Sequence, residues 1–180
     1  MEEKKISRRS WRVLLNRQKR IINRENPNFR IAVLGVGNGL NGDDAAGLVV
    51  VRELKKYLLE DTRVLVLEAG PAPENFTSSV SRFHPDWVLV VDAARLGDSP
   101  GRVAWIELGE VGDACAATHG LPLSMLGRYL VAETGCQFSV LGIQVAQTGF
   151  DQPVSPTVQR AALRVARALS HILRRYNHPL

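Results

Sequence analysis

The stretch IAVLGVGNGLNGDDAAGLVV, residues 31–50, contains an apolar run, a glycine-rich turn and the start of an amphipathic segment. This order is typical of a β-strand that turns directly into an α-helix in a parallel sheet. The unpaired N–H groups and the dipole of such a helix favour an anion at its first turn. Here the chain itself supplies the negative charge at that point, through Asp43 and Asp44.

The two carboxylates argue against a dinucleotide at this turn. A pyrophosphate would meet two like charges, and Leu40 stands where the pattern G-x-G-x-x-G requires its third glycine. The structural alternative is a helix cap, because Asp is common at helix starts, but a cap needs only one of the two side chains. The doublet therefore indicates a cation or metal site.

Length and composition indicate one globular domain with a basic extension. The chain has 180 residues with an apolar fraction of 45%, which is enough for one domain with a substantial core. Residues 1–30 contain ten Lys or Arg and three Glu, so this end accounts for the formal net charge of +5. We expect a basic amphipathic helix over 4–25, with residues 1–29 as an extension and residues 30–180 as the main domain.

One face of the expected N-terminal helix carries residues at helical spacing, namely Trp11, Leu14, Leu15, Gln18 and Ile22. Binding of nucleic acid or of an anionic membrane is one interpretation of its basic face. The favoured interpretation is a solvated face on a helix that docks against the domain. We therefore expect no nucleic-acid partner.

The sequence also predicts a cytoplasmic protein that is not integral to a membrane. It contains no apolar run typical of a secretory signal or of a membrane span. Two cysteines, Cys115 and Cys136, are too few for a disulfide framework. Cys115 lies four residues before His119, which leaves open a Cys–His nucleophile pair or a shared metal site, although two buried thiols are the favoured interpretation.

From residue 30 onward, apolar β-type runs alternate with helical patterns. Strands are expected over 30–34, 63–67, 87–91, 102–106 and 138–144, and helices over 43–59, 73–82, 122–133 and 155–176. The run VLVV at 88–91 is apolar at consecutive positions, as in strands covered by helices on both faces. The pattern predicts an α/β fold, a doubly wound, mostly parallel, five-stranded twisted sheet with helices on both faces, plus the N-terminal basic helical arm.

Three acidic residues are expected at the carboxyl edge of this sheet, where ligands bind in doubly wound folds. Asp44 follows the first strand, Glu68 ends the second, and Asp92 ends the third. Because Asp92 follows four apolar residues, its charge requires a partner such as a metal, a helix N-terminus or Arg95. The structural alternative is that Asp92 caps the next turn.

His119 adds an imidazole to these acids. It lies in ATHGLPL, in a loop before a helix that Pro122 can start. Loop histidines are often only solvated, but imidazole is also the commonest metal ligand. Asp44, Asp92 and His119 together form a set of two carboxylates and one imidazole that suits a divalent metal with open positions. We predict these three residues as metal ligands and as catalytic residues.

Several motifs in the same order resemble those of the nickel–iron hydrogenase maturation endopeptidases. They are GVGNGLNGDDAAG at 35–47, LEAGPAPEN at 67–75, LVVDAARLGDSPG at 89–101, THGLPL at 118–123, LGIQ at 141–144 and TGF at 148–150. The similarity covers about residues 30–172. The variants D-D-x-A-G, A-P-E-N and T-H-x-L/M-P-L are most similar to the branch that serves formate hydrogenlyase-type and other energy-converting hydrogenases.

The resemblance implies an aspartic-type endopeptidase that removes a C-terminal peptide from the hydrogenase large-subunit precursor once nickel has been inserted. We expect a monomer, although the sequence does not identify the oligomeric state. The family's nickel-binding residues map onto Asp44, Asp92 and His119, and the nickel is that of the substrate's nickel–iron centre. Glu68 stands where many relatives have the Asp of Asp-Gly-Gly, and is a fourth catalytic candidate. Its longer side chain and the added Cβ of Ala69 count against that role.

The residues alone leave two other functions open. The order of strand, glycine turn and helix also occurs in nucleotide-binding α/β proteins, although the acid doublet opposes this interpretation. A metal-dependent recognition module that binds the nickel-loaded precursor without cleaving it is the other alternative, because no ordinary protease nucleophile is evident. The spore germination protease type shares the fold by resemblance, but THGLPL and APEN favour the hydrogenase branch.

Overall fold

The computed structural model describes residues 10–25, 28–58, 62–111 and 121–174. The strands are β1 (Ile31–Val36), β2 (Val64–Gly70), β3 (Trp87–Ala94), β4 (Val103–Glu107) and β5 (Gln137–Gln144). The α-helices are α1 (Trp11–Glu25), α2 (Ala46–Tyr57), α3 (Thr77–Phe83), α4 (Leu123–Thr134) and α5 (Pro156–Arg174). Short 3-10 turns cover Gly42–Ala45, Pro73–Phe76 and Leu108–Glu110.

The five strands form one sheet in the order β2-β1-β3-β5-β4. β1 is parallel to β2 and β3, β3 is parallel to β5, and β4 alone among these strands runs antiparallel to its neighbour. The chain passes from β1 outward to β2 and then returns to β3 on the other side of β1. The strand order therefore reverses between β1 and β3, and the predicted mostly parallel α/β sheet is confirmed.

The element boundaries differ from the prediction at the site end of the sheet. β3 continues to Ala94 because β5 supplies hydrogen-bonding partners along its whole length, and Asp92 pairs with Gly142 inside the strand. The prediction that Asp92 ends its strand is therefore wrong, whereas the alternative that it caps the next turn stays a prediction. Glu68 likewise lies inside β2, opposite Gly35 of β1.

Each face of the sheet is covered by helices over its own apolar layer. Residues of α2 and α5 pack on one face with Val33, Leu89 and Val91, and residues of α3 and α4 pack on the other with Leu34 and Val90. The continuous apolar runs of the inner strands are therefore buried on both sides, as their sequence predicted.

Helix α1 contributes to the first of these two layers. Leu15 is fully buried in this layer, and Trp11 and Leu14, on the same side of the helix, also pack against the layer. Of the helix expected over 4–25, the structure describes the part that begins at Trp11. In the described part of the chain, no helix is both long enough and apolar enough to cross a membrane.

Two glycines allow α2 to approach the sheet more closely than any other residue would permit. A Cβ added to Gly47 would lie 2.2 Å from the carbonyl oxygen of Val91 in β3 and 2.3 Å from that of Val36 in β1. A Cβ on Gly35 would lie 2.4 Å from the carbonyl oxygen of Gly47. The glycines of this turn thus serve the packing of the helix against two strands, at the point where the strand order reverses.

We expect Gly47→Ala to lower the free energy of unfolding by at least about 1–3 kcal/mol, because the new methyl group would overlap two backbone carbonyls. Urea unfolding followed by circular dichroism measures this loss. Gly109→Ala is the matched control, since a Cβ there meets nothing within 4 Å. Equal stabilities of the two variants would contradict the close approach.

Candidate functional site

Asp43, the first acid of the doublet, is completely buried, and its carboxylate accepts four hydrogen bonds. Its Oδ2 accepts the backbone N–H groups of Ala146 at 2.7 Å and Gln147 at 3.0 Å, and its Oδ1 accepts the N–H of Ser155 at 2.6 Å. The Ser155 hydroxyl donates a fourth hydrogen bond to Oδ2 at 3.0 Å. Both carboxylate oxygens of Asp43 are thus engaged by donors of the protein itself, which favours a structural role for this acid.

The helix-cap interpretation of the doublet is wrong. Asn41 precedes the 3-10 turn and Ala45 precedes α2, and neither position makes a side-chain capping hydrogen bond. Both acids lie inside the turn instead, because the chain forms a 3-10 segment over Gly42–Ala45 before the α-helix begins at Ala46. The helix predicted from residue 43 thus starts three residues later.

Asp44, the second acid, is held at the edge of the sheet by the turn that precedes it. It is only 4% exposed, and its Oδ2 accepts the N–H of Asn38 at 2.8 Å. Gly37 has a φ of +130°, and a Cβ there would lie 1.8 Å from the carbonyl oxygen of Asp44. The glycine-rich turn therefore wraps around Asp44 and directs a backbone N–H to its carboxylate.

Asp92 lies on the neighbouring strand and is 1% exposed. It follows Val91, which pairs with Gly35 near the end of β1, and the turn Gly42–Ala45 contacts β3. Asp44 thus lies in the turn that follows β1, and Asp92 lies two residues before the end of the adjacent strand β3, near the reversal of strand order. Carboxylate oxygen is a common ligand for divalent metals, so both acids are suitable ligands for a cation.

His119 and Cys115 fall within residues 112–120, outside the described residues, so the third predicted ligand stays a prediction. Among the described residues, no three His, Cys, Asp or Glu side chains form a metal-binding cluster. Val111 and Leu121, which flank the segment, pack in the same apolar layer as Val90. Asp92 lies two residues after Val90 in β3, so its side chain is on the same face of the sheet as Val111 and Leu121.

Glu68 is engaged away from that face. It forms an ion pair with Arg52 of α2, whose Nε donates to Oε1 at 2.8 Å, and this hydrogen bond lowers the pKa of Glu68. Glu68 lies two and four residues after Val66 and Val64 in β2, so its side chain is on the same face of the sheet as theirs, the face that α2 covers. It therefore points to the opposite side of the sheet from Asp92, and this geometry counts against the catalytic role suggested for it.

Two further titratable side chains, Glu74 and Cys136, are partly or fully buried. Glu74, in the motif APEN, lies in the turn that follows β2, and its Oε2 is buried without a hydrogen-bond partner among the described residues. The sequence interpretation gave Glu74 no role, although it lies within a recognised motif. Cys136 is buried and burial raises the pKa of its thiol, so it is a poor nucleophile at neutral pH.

Comparison with known proteins gives consistent matches. A family model described as hydrogenase maturation protease matches residues 48–174, a range that includes Asp92 and His119. Hydrogenase 3 maturation protease of Escherichia coli K12 is 30% identical over 138 residues, 76% of this chain and 86% of that protein.

Solved structures agree with these matches. The crystal structure of the NiFe hydrogenase maturation protease HycI from Thermococcus kodakarensis KOD1 aligns with a TM-score of 0.75 at 32% identity, over 81% of this chain and 92% of that chain. The solution structure of the endopeptidase HycI from Escherichia coli aligns with a TM-score of 0.71 at 28% identity, over 79% and 90%.

The Arg52–Glu68 pair predicts a small pH-dependent contribution to stability. Because the folded-state pKa of Glu68 lies below its ordinary value of 4.5, the contribution is present above pH 4.5 and is lost as the pH falls through the lowered value. Both side chains are substantially exposed, so we expect less than about 1 kcal/mol.

Urea unfolding of the wild type and of Glu68→Gln at neutral pH and at about pH 3 tests this contribution. The stability difference between them should shrink at the acidic pH. Arg52→Gln, alone and combined with Glu68→Gln, completes a double-mutant cycle that isolates the pair. A difference that grew on acidification would contradict the ion pair.

Proposed function

Because the chain belongs to the hydrogenase maturation protease family, whose members hydrolyse peptide bonds, we propose that it removes the C-terminal peptide of a nickel–iron hydrogenase large-subunit precursor after nickel insertion. The observation that carries the proposal is the pair of buried carboxylates, Asp44 and Asp92, at the reversal of strand order. The relative from Thermococcus kodakarensis, named as a NiFe hydrogenase maturation protease, supports the choice of substrate.

In this proposal Asp44, Asp92 and His119 bind the nickel of the substrate. Two carboxylates and one imidazole leave coordination positions for the precursor's own ligands. Asp43 is less suited than Asp44 to this role, because its carboxylate already accepts four hydrogen bonds within the protein. The proposal therefore assigns the metal to the second acid of the doublet, the residue onto which the resemblance maps a ligand of the family.

Metal binding of this kind makes cleavage conditional on prior nickel insertion. A precursor without nickel would bring no positive charge to Asp44 and Asp92, so its docking would lack the attraction between metal and carboxylate. A nickel-loaded precursor supplies that charge and places the peptide segment near the metal in register with the enzyme. Discrimination between the two forms therefore depends on the electrostatics of one site.

The metal could also take part in hydrolysis. A divalent metal can polarise the scissile carbonyl group or lower the pKa of a bound water. We treat hydrolysis by a metal-bound water as a hypothesis within the proposal. A cleavage rate that stayed unchanged when another divalent metal replaced nickel, with binding of the precursor intact, would rule it out.

Nucleotide binding is disfavoured by the geometry of the glycine turn. The N–H of Asn38 donates to Asp44, so a backbone donor of the kind that cradles phosphate is already used within the turn. Gly47 packs against two strand carbonyls and does not provide space for a ligand. The protein's own carboxylates fill the place of the anion.

The proposal is tested by mixing the protein with nickel-loaded precursor and, separately, with nickel-free precursor, followed by mass spectrometry. We expect loss of the C-terminal peptide only from the nickel-loaded form. Stable binding of the nickel-loaded form with no cleavage would replace the protease proposal by that of a recognition module. Equal cleavage of both forms would contradict nickel recognition.

Substitution of each predicted ligand should abolish processing while leaving the fold intact. We expect Asp44→Asn, Asp92→Asn and His119→Ala each to lower the cleavage rate at least about 100-fold, because each removes one metal ligand. Cys115→Ser is the control and should process the precursor at nearly the wild-type rate. Circular dichroism of each variant verifies folding, and full activity of Asp92→Asn would contradict the metal site.

A further inference from the structure

Two apolar side chains, Leu40 and Phe150, are exposed beside the turn that holds Asp44. Leu40 is 58% exposed and Phe150 is 77% exposed. The N–H of Asp151, the neighbour of Phe150, donates to the carbonyl oxygen of Leu40 at 2.7 Å. We call Leu40 and Phe150 the rim pair. This hydrogen bond joins the two chain segments that carry the exposed side chains, and neighbouring exposed apolar residues are a feature of interaction surfaces.

A short chain of hydrogen bonds connects the rim pair to the predicted metal ligand. The side-chain Oδ1 of Asn38 accepts the N–H of Leu40 at 3.0 Å, and the N–H of Asn38 donates to Asp44 at 2.8 Å. Leu40 and Asp44 thus belong to one hydrogen-bonded turn.

Asp43 fixes the segment that carries Phe150. We call residues 145–155 the rim loop. Besides the four hydrogen bonds that its carboxylate accepts from this loop, Asp43 donates its backbone N–H to the carbonyl oxygen of Gln147 at 3.1 Å. These contacts hold the loop on both sides of Phe150. The bridge between Asn41 and Gln152 closes it against the turn.

We propose that Asp43 is a positioning residue that fixes the rim loop, and that the rim pair docks an apolar segment of the large-subunit precursor beside the cleaved bond. This inference rests on the proposed function, since it assigns a binding surface for the same substrate. The occupant is the precursor because the rim pair is continuous with the turn of Asp44. An apolar side chain of the precursor would remove both members of the pair from water.

The rim pair is tested with Phe150→Ser and Leu40→Ser. We expect each to raise the Kd and the KM for nickel-loaded precursor about tenfold while kcat stays within about twofold, because the contact contributes to docking and not to the chemical step. Val13→Ser is the matched control, since Val13 is 60% exposed on α1. Unchanged Kd and KM in both rim variants would overturn the docking surface.

The positioning role is tested with Asp43→Asn, which keeps the size of the side chain but replaces one acceptor oxygen by a donor. We expect a raised KM with nearly constant kcat, and faster hydrogen exchange at the amides of Ala146 and Gln147. Ser155→Ala provides a milder variant if Asp43→Asn does not fold, because it removes only the hydroxyl hydrogen bond. It should raise KM less, and a KM equal to that of the wild type in every folded variant would overturn the role.

The results separate this inference from the proposed function. Failure of the wild type to cleave nickel-loaded precursor would overturn the protease proposal, whereas the Kd series still decides whether the rim pair binds the precursor. Light scattering of wild type and Phe150→Ser detects a second copy of the chain as the occupant. A change in oligomeric state with an unchanged Kd for the precursor would overturn docking of the precursor at this surface.

Discussion

The site is organised around one buried charge, the carboxylate of Asp43. Its four hydrogen bonds connect the turn between β1 and α2 to the rim loop, whose last residue, Ser155, directly precedes α5. A buried carboxylate is costly unless donors surround it, so the turn and the start of α5 are held in one arrangement. Helices α2 and α5 also pack against each other directly, which extends this constraint along one face of the sheet.

A steric constraint acts together with this polar one. Gly47 brings α2 against the carbonyl groups of Val36 and Val91, so the first turn of the helix cannot withdraw from β1 and β3 without losing that contact. Asp44 lies three residues before Gly47, and Asp92 is the residue after Val91. The close approach of α2 to β1 and β3 therefore fixes the position of Asp44 relative to Asp92, independently of any metal.

The sequence was sufficient for the fold because its decisive signals are local. Consecutive apolar residues in β3 and the alternation of strand and helix patterns predicted a parallel sheet covered on both faces. The strand ends were less predictable, because the extension of β3 to Ala94 depends on pairing with Gln144, far along the chain. The start of α2 was missed for a related reason, since the 3-10 turn is stabilised by contacts between Asp43 and the rim loop.

The different surroundings of Asp43 and Asp44 depend on residues that are distant in the sequence. The two adjacent carboxylates predicted a cation site, but the N–H groups that donate hydrogen bonds to Asp43 lie more than a hundred residues later in the chain. These donors engage both carboxylate oxygens of Asp43, so the proposed metal-binding role is assigned to Asp44. The same reasoning weakens the role of Glu68, whose carboxylate is paired with Arg52 on the opposite face. The hydrogen-bond partners of each carboxylate thus distinguish Asp43, which holds the turn against the rim loop, from Asp44, for which metal binding is proposed.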